Sequence, residues 1–199
     1  MPVSVRMRAP IHPIVAAAAE GRLPGWAVAG TRRRRHTERV ADLLEDWARE
    51  MGLGEETVRW RAAGILHDAL RDAPPAELIG VLPRRLRKLP PKAYHGPAAA
   101  ILLRADGVSD RELLRAVRWH TLGSKKFGRL GKALFAADSL EPGRTGSREW
   151  RDRLRARACR DLDRVATEIV RNRIDYRVRA ELPVHPRTIG FWNSLVRAS

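Results

Sequence analysis

The stretch "AAGILHDALRDA", residues 62–73, places His67 and Asp68 directly after a run of apolar side chains. A buried carboxylate beside an imidazole is costly unless a charged group compensates it, and a metal ion is one such group. Because one such pair does not fill the coordination shell of a metal ion, the stretch predicts that further ligands lie elsewhere in the chain.

The segments around this stretch carry apolar residues at the spacing of α-helices. From Val40 to Met51 the apolar residues recur at steps of three and four, which is typical of an amphipathic helix. The same period predicts helices at about 55–70, from His95 onwards, at 110–119, through 130–140 and at about 148–178. The sequence "SDRE", residues 109–112, resembles a capping box. No alternating strand pattern of useful length is present, so the fold class is predicted to be all-α, a helical bundle.

The chain of 199 residues carries a large excess of positive charge. Lys and Arg number 39 and Asp and Glu 23, which gives a formal net charge of +16 and favours polyanionic partners such as nucleotides, RNA or acidic membrane surfaces. The one cysteine, Cys159, has no partner for an internal disulfide, and no segment approaches the roughly 20 apolar residues of a membrane span. We therefore expect a cytoplasmic protein that does not span a membrane.

Side chains of the metal-ligating types lie on or beside successive predicted helices. His36 precedes Val40 by four residues and so continues an apolar stripe, and Asp138 follows Leu134 by four residues. Each of these side chains alone has an ordinary explanation, as a hydrogen-bonded core histidine or as a carboxylate paired with an arginine. Together they favour a metal site between the core helices. The candidate ligands are His36, His67, Asp68, His95, His120 and Asp138.

The donor atoms of these six residues narrow the choice of metal. Imidazole nitrogens and carboxylate oxygens suit one or two ions such as iron or manganese, and Asp68 has two oxygens with which to bridge a pair of ions. The absence of thiolates from the set argues against a structural zinc site.

Six motifs in order carry a resemblance to a known family: "RRRHTERVADLL", "AAGILHDALRDA", "HGPAAA", "RWHTLG", "AADSLEPGR" and "HPRTIGFWN". They resemble the HD-domain metal-dependent phosphohydrolase superfamily and, more narrowly, its YqeK-type branch, the symmetrical bis(5'-nucleosyl)-tetraphosphatases. The similarity extends over roughly residues 31–193. The signatures around His120 and Asp138 are specific, whereas "HD" alone is a weak signal.

The resemblance implies a hydrolase that holds two divalent ions, iron by preference and manganese as the alternative, and cleaves diadenosine tetraphosphate symmetrically into two ADP. A hydroxide that bridges the ions would attack phosphorus, so no protein nucleophile is required. Asp68 and His67 are the residues assigned to catalysis. The two ions would share Asp68, with His36, His67, Asp68 and Asp138 around the first, and Asp68, His95 and His120 around the second.

Binding of the substrate phosphates is assigned to basic and small residues. The resemblance matches Arg33, before the first histidine, and Arg144, in "EPGR", to arginines of the family. The loop after His120 adds Thr121 and Gly123, which offer hydroxyl and backbone groups to a phosphate. Because arginine clamps phosphate bidentately and lysine acts as a point charge, two further candidates are Arg71 and Lys125.

The chain is predicted to have three segments, and two alternative functions stay open. Residues 1–30 are expected to form an N-terminal extension, residues 31–145 the HD core with its metal site, and residues 146–199 a C-terminal helical segment packed on the core. One alternative function is hydrolysis of another nucleotide. The other, motivated by the charge and by the run Arg32 to Arg35, is a basic helical nucleic-acid-binding protein with a structural metal site. The main expected partner is a nucleotide substrate, and a homodimer is left open.

Overall fold

The computed structural model describes residues 10–197. Within this range the chain forms ten α-helices, three short 3-10 turns and no strand, which confirms the all-α prediction. The helices are α1 Pro13–Ala19, α2 Thr31–Glu50, α3 Thr57–Leu66, α4 Pro75–Val81, α5 His95–Ala105, α6 Arg111–Trp119, α7 Arg129–Leu140, α8 Arg148–Arg157, α9 Leu162–Arg179 and α10 Pro186–Val196. Residues 1–9, part of the predicted N-terminal extension, lie outside the described residues.

Helix α3 lies at the centre of the bundle. It packs against α1 and α2 and also contacts α6 and α7. Its residues from Ala62 to Leu66 are all buried, which agrees with their nearly continuous apolar character. On the outer side α5 packs on α6, α7 packs on α9, and α9 supports α10. The carboxyl end of α3, where the "HD" pair follows, therefore lies among α2, α6 and α7.

Two glycines allow the helices of the core to approach each other closely. A Cβ atom added to Gly64 in α3 would lie 2.5 Å from the Cα of Ala41 in α2. A Cβ atom added to Gly96 in α5 would lie 2.8 Å from the carbonyl oxygen of Val117 in α6. Real Cβ atoms do not approach other atoms so closely, so both positions require glycine.

Two of the predicted helix boundaries are wrong. The helix expected at 55–70 ends at Leu66, because the Nδ1 atom of His67 lies 2.7 Å from the carbonyl oxygen of Gly64 and the chain then continues in turns. Residues 69 and 72 bond instead to the backbone of Val28. The helical segment expected at 148–178 is interrupted between α8 and α9, where the side chain of Asp161 caps α9 by accepting from the backbone of Arg164.

The capping box predicted at 109–112 is also corrected. The N-cap of α6 is Asp110 rather than Ser109, and its carboxylate accepts from the backbone amides of Glu112 and Leu113. Asp110 additionally receives a hydrogen bond of 2.7 Å from Arg59, which ties α3 to the start of α6. Helices α1, α4 and α10 were not predicted, and two of them are only seven residues long.

The described part of the N-terminal segment packs on the core. Val15 and Ala18 in α1 are buried within the same hydrophobic cluster as α2 and α3, and the indole nitrogen of Trp26 donates to Asp106 at 2.8 Å. The division into an extension, a core and a C-terminal segment stays a prediction. Across residues 10–197, every helix is too short or too polar to cross a bilayer.

The contact between α2 and α3 makes Gly64 a test of this packing. We expect Gly64→Ala to lower the free energy of unfolding by about 1–3 kcal/mol, because the added methyl group forces the two helices apart. Gly80 in α4 has open space around it, so the control variant Gly80→Ala should leave stability unchanged or raise it slightly. Urea denaturation followed by circular dichroism measures both variants. Equal stability of the two would contradict the close packing at Gly64.

Candidate metal centre

The structure brings the six predicted ligand residues into one buried cluster. They come from α2, from the turn after α3, from the start of α5, from the end of α6 and from α7, and none is more than 8% exposed. Two sets of three offer ligand atoms that all lie within 4.8 Å of one another: His36, His67 and Asp138, and His67, Asp68 and His120.

The carboxylate of Asp68 lies between two pairs of histidines. Its Oδ1 atom is 3.1 Å from the Nε2 of His95 and 3.4 Å from the Nε2 of His120. Its Oδ2 atom is 3.8 Å from the Nε2 of His36 and 3.7 Å from the Nε2 of His67. Each oxygen therefore faces a different pair of imidazoles.

The rings of two of these histidines, His67 and His120, are held by their Nδ1 atoms. The Nδ1 atom of His67 lies 2.7 Å from the carbonyl oxygen of Gly64, and that of His120 lies 2.8 Å from the carbonyl oxygen of Val117. Since a carbonyl oxygen only accepts, both Nδ1 atoms must carry the proton. The neutral rings then turn the lone pair of Nε2 towards Asp68, which is the tautomer that a metal ligand needs.

The Nε2 atoms of the four histidines lie in positions that hydrogen bonds among the described residues do not explain. Within residues 10–197, the Nε2 atoms of His36 and His67 are buried without a hydrogen bond. The Nε2 atoms of His95 and His120 face each other at 3.0 Å, so two neutral rings of the same tautomer would oppose their lone pairs. Cations between these atoms would relieve both problems, so the cluster fits divalent metal ions. Iron or manganese as the native metal stays a prediction.

The ionisation of the cluster also suits a metal site. Burial lowers the pKa of His67 to about 4 and also lowers that of His95, so both rings are neutral at pH 7. Burial acts to raise the pKa of Asp68, but His67, His120 and His95 outweigh it and hold the pKa well below its usual value. Burial also acts to raise the pKa of Asp138, but the hydrogen bond with His36 lowers this pKa below its usual value. The cluster thus combines neutral imidazoles at His67 and His95 with ionised carboxylates at Asp68 and Asp138. Burial acts to lower the pKa of His36, but its hydrogen bonds to Asp138 and Glu141 raise the pKa above its usual value.

A cleft of about 1240 Å³ opens onto this cluster. Four of the predicted substrate-binding residues line it: Arg33, Arg71, Thr121 and Arg144. Arg33 donates to Asp68 at 2.6 Å, and Arg144 donates to Asp138. The hydroxyl of Thr121 lies 3.0 Å from the Nε2 of His120. Arg33, Arg144 and Thr121 thus contact the candidate ligand residues and also line the cleft.

The remaining two predicted substrate-binding residues lie elsewhere. Gly123 has a φ of 79°, and a Cβ atom there would lie 2.2 Å from the ring of Phe191 in α10. Its glycine is therefore explained by backbone conformation and by packing, and it does not line the cleft. Lys125 lines a neighbouring cavity instead.

Glu141 is a functional candidate that the sequence analysis missed. It is 1% exposed, and its Oε1 atom lies 3.1 Å from the Nδ1 of His36. Arg39 and the backbone amide of Gly143 also donate to its carboxylate. Burial acts to raise its pKa, but the bonds from His36, Arg39 and Gly143 lower the pKa to about 2. A carboxylate behind a ligating imidazole fixes the ring and raises its basicity, and the position of Glu141 three residues after Asp138 was the available signal.

Arg173 in α9 is a second functional candidate that the sequence analysis missed. Its guanidinium donates to the carbonyl oxygen of Thr121 at 3.1 Å and to the hydroxyl of Ser139 at 2.6 Å. It also lies 4.3 Å from the centroid of the Phe135 ring, and burial lowers its pKa. Arg173 follows Ile169 by four residues, so the signal was a charged residue on the apolar stripe of a predicted helix.

Comparison with known proteins shows which family and which relatives this chain is similar to. A family model described as "HD domain" matches residues 33–167. A curated relative from Bacillus subtilis, "Bis(5'-nucleosyl)-tetraphosphatase, symmetrical", is 29% identical over 172 residues, which cover 82% of this chain and 89% of the relative. A relative of the same description from Staphylococcus aureus is 28% identical over 170 residues, covering 81% and 86%.

A solved structure shares the architecture. An HD superfamily hydrolase of Clostridium acetobutylicum, described as involved in NAD metabolism, superposes with a TM-score of 0.74 at 27% identity and covers 85% of this chain and 92% of that one. These matches confirm the resemblance that the ordered motifs indicated.

The contact between Glu141 and His36 is tested by the isosteric variant Glu141→Gln. An uncharged amide orients the imidazole less firmly and lowers its basicity, so we expect metal affinity to fall by about 10-fold to 100-fold. Titration of the metal-free protein with manganese, followed by calorimetry, measures this change. The control is Glu149→Gln, which removes the same charge from an exposed residue of α8. Equal affinities of the two variants would exclude a role for Glu141 in metal binding.

Proposed function

The chain belongs to the HD domain family, which makes it a hydrolase, and we propose that it cleaves diadenosine tetraphosphate symmetrically into two ADP. The relatives named as symmetrical bis(5'-nucleosyl)-tetraphosphatases support this substrate, since the chain covers most of their length. The six buried histidines and aspartates are proposed to be the metal ligands, with Asp68 and His67 at the reacting centre.

The observation that carries the proposal is the position of Asp68. Its two oxygens face separate pairs of histidines, His95 with His120 and His36 with His67. A carboxylate in this position suits two ions better than one, because each oxygen has its own set of nitrogen donors. Two adjacent cations are the usual solution for splitting a phosphoanhydride with water.

Divalent ions at this centre would supply Lewis acidity, which makes a water molecule acidic near neutral pH and offsets charge on the phosphoryl oxygens. The residues of the chain supply orientation. Asp68 and Asp138 provide negative oxygens, and the backbone bonds of His67 and His120 hold their rings in place. No protein nucleophile is needed, since the attacking group comes from water.

The cleft provides the positive charge that a tetraphosphate needs. Arg33 and Arg144 lie at the rim of the cluster, against Asp68 and Asp138, and are 25% and 40% exposed at the side chain. Arg71 and Lys92 line the same cleft. Symmetrical cleavage requires the central phosphoanhydride to lie at Asp68, with one nucleoside extending to each side. The arginines at the rim are suited to clamp the phosphates on either side of that bond.

The variant Asp68→Ala tests the proposed reaction. We expect ADP to be the sole product of the metal-loaded protein, and the rate to fall by more than about 100-fold in the variant, since loss of a direct ligand exceeds the effect of an outer contact. Protein prepared without air and supplied with ferrous iron is incubated with diadenosine tetraphosphate, and the nucleotides are separated by chromatography. The control is Asp46→Ala, an exposed carboxylate of α2.

Each other product pattern has a definite meaning. ATP together with AMP would retain the hydrolase and overturn symmetrical cleavage. Absence of products from this substrate, with turnover of a nucleoside mono- or triphosphate, would replace the substrate. Absence of any hydrolysis together with tight, salt-sensitive RNA binding would favour the nucleic-acid-binding alternative.

Arg71 tests the proposed role of the cleft in substrate binding. Arg71 lines the cleft without an ion pair among the described residues, so Arg71→Gln should raise KM for the tetraphosphate by about 10-fold and leave kcat nearly unchanged. Steady-state kinetics separate the two constants. The control Arg111→Gln removes the same charge from an exposed position on α6, outside the cleft. An unchanged KM in Arg71→Gln would remove Arg71 from the binding site.

A further inference from the structure

A second cavity, of about 660 Å³, lies beside the metal cleft. His185 and Pro186, at the start of α10, line both cavities, so the two share a wall. Trp119, in the second cavity, directly precedes His120 of the metal cluster. The second cavity is therefore next to the reacting centre and is not part of it.

The lining of this cavity is strongly basic. Five cationic side chains border it: Arg85, Lys88, Arg118, Lys125 and Arg187. No Asp or Glu is among the lining residues in the described part of the chain, and none of the five cationic side chains forms an ion pair or donates a hydrogen bond there. An anion that enters a concavity with five like charges lowers their mutual repulsion, so the cavity favours an anionic ligand.

One of these cations is held in a fixed orientation. The guanidinium of Arg187 lies 3.5 Å from the centroid of the Trp119 ring, which is a cation–π stack. The backbone of Arg187 is also fixed, because its amide donates to the side chain of His185 at 3.1 Å. Burial and the nearby Arg118 both lower the pKa of Arg187, which shows that its charge is poorly compensated within the protein. A guanidinium fixed in this way keeps its N–H edge available to a phosphate.

The shape of the cavity favours a small anion over a nucleic acid. Its volume lies within the range of about 300–1,000 Å³ that is usual for small-molecule sites. The face of Trp119 beneath Arg187 is covered, so it offers no platform on which a base of single-stranded RNA could stack.

We propose that this cavity is a second binding site for a phosphate chain, distinct from the metal cleft, in which Arg118, Arg187 and the lysines and arginine of the rim contact the phosphate oxygens. The chain comes either from the distal half of a substrate that spans both cavities or from a separate nucleotide. Only the choice between these two sources rests on the proposed function, since binding of the anion does not require hydrolysis.

Inorganic tripolyphosphate is the probe for the site itself. Isothermal titration of the manganese-loaded protein should give two tripolyphosphate ions bound per chain. The double variant Arg118→Gln/Arg187→Gln should weaken one of the two by at least about 10-fold and leave the other unchanged. Because Arg187 packs on Trp119, the exposed pair Arg85→Gln/Lys125→Gln provides a second variant that does not disturb packing. The control is Arg153→Gln/Arg164→Gln, with the same change in charge on exposed residues of α8 and α9.

Three outcomes would overturn the proposal. The first is binding of one tripolyphosphate ion that neither cavity variant weakens. The second is an equal loss in the control, which would indicate an effect of overall charge alone. The third is binding of a short single-stranded RNA that both cavity variants abolish, without binding of tripolyphosphate. These results do not depend on turnover, so they stay informative if diadenosine tetraphosphate is not a substrate.

Kinetics then identify the source of the phosphate chain. If the substrate spans both cavities, the cavity variants raise KM for diadenosine tetraphosphate by about 10-fold with kcat unchanged. If a separate nucleotide binds, KM is unchanged, and added ADP alters the rate of the wild type but not that of the cavity variants. Either result supports the site. If two tripolyphosphate ions bind but neither kinetic change occurs, a role of the site in catalysis or in its control is overturned.

Discussion

The buried carboxylate of Asp68 is the constraint on which the rest of the structure depends. An ionised group that is 4% exposed is stable only when positive charge or hydrogen-bond donors surround it. Four imidazoles face its two oxygens, and Arg33 donates to one of them at 2.6 Å. The lone pairs on the Nε2 atoms of His67 and His120 point towards the same space, so the arrangement suits cations between the rings and the carboxylate.

The helices are arranged to satisfy this constraint. Gly64 lets α3 approach α2, which brings His67 and His36 within 5.4 Å between ring centroids. Gly96 plays the same part between α5 and α6, and the rings of His95 and His120 lie 4.9 Å apart. Behind His36, Glu141 accepts from the ring and is itself held by Arg39. Close packing and outer hydrogen bonds thus fix the atoms that would contact a metal.

The large positive charge of the chain is distributed in two different ways. Around the metal cluster two arginines face carboxylates: Arg33 faces Asp68 and Arg144 faces Asp138. Both are placed to exchange these partners for phosphate oxygens. In the neighbouring cavity the cations have no carboxylate partner among the described residues. The wall that the two cavities share, at His185 and Pro186, places both charge distributions next to one reacting centre.

Residue types and their helical spacing predicted an all-α fold and the set of histidines and aspartates that meet in its core. His36 and Asp138 lie four residues from apolar neighbours, and His67 and Asp68 directly follow an apolar run. Contacts between distant segments depended on how the helices pack. The spacing of Glu141 from Asp138 does not show its partner, which is His36 in α2, 105 residues earlier in the chain. Gly123 has the features of a phosphate loop, yet the ring of Phe191 in α10 occupies the space beside it. The cavity that joins Arg118 to Arg187 likewise exists only once α10 lies beside α6, since no local pattern encodes which surfaces of two separate helices come together.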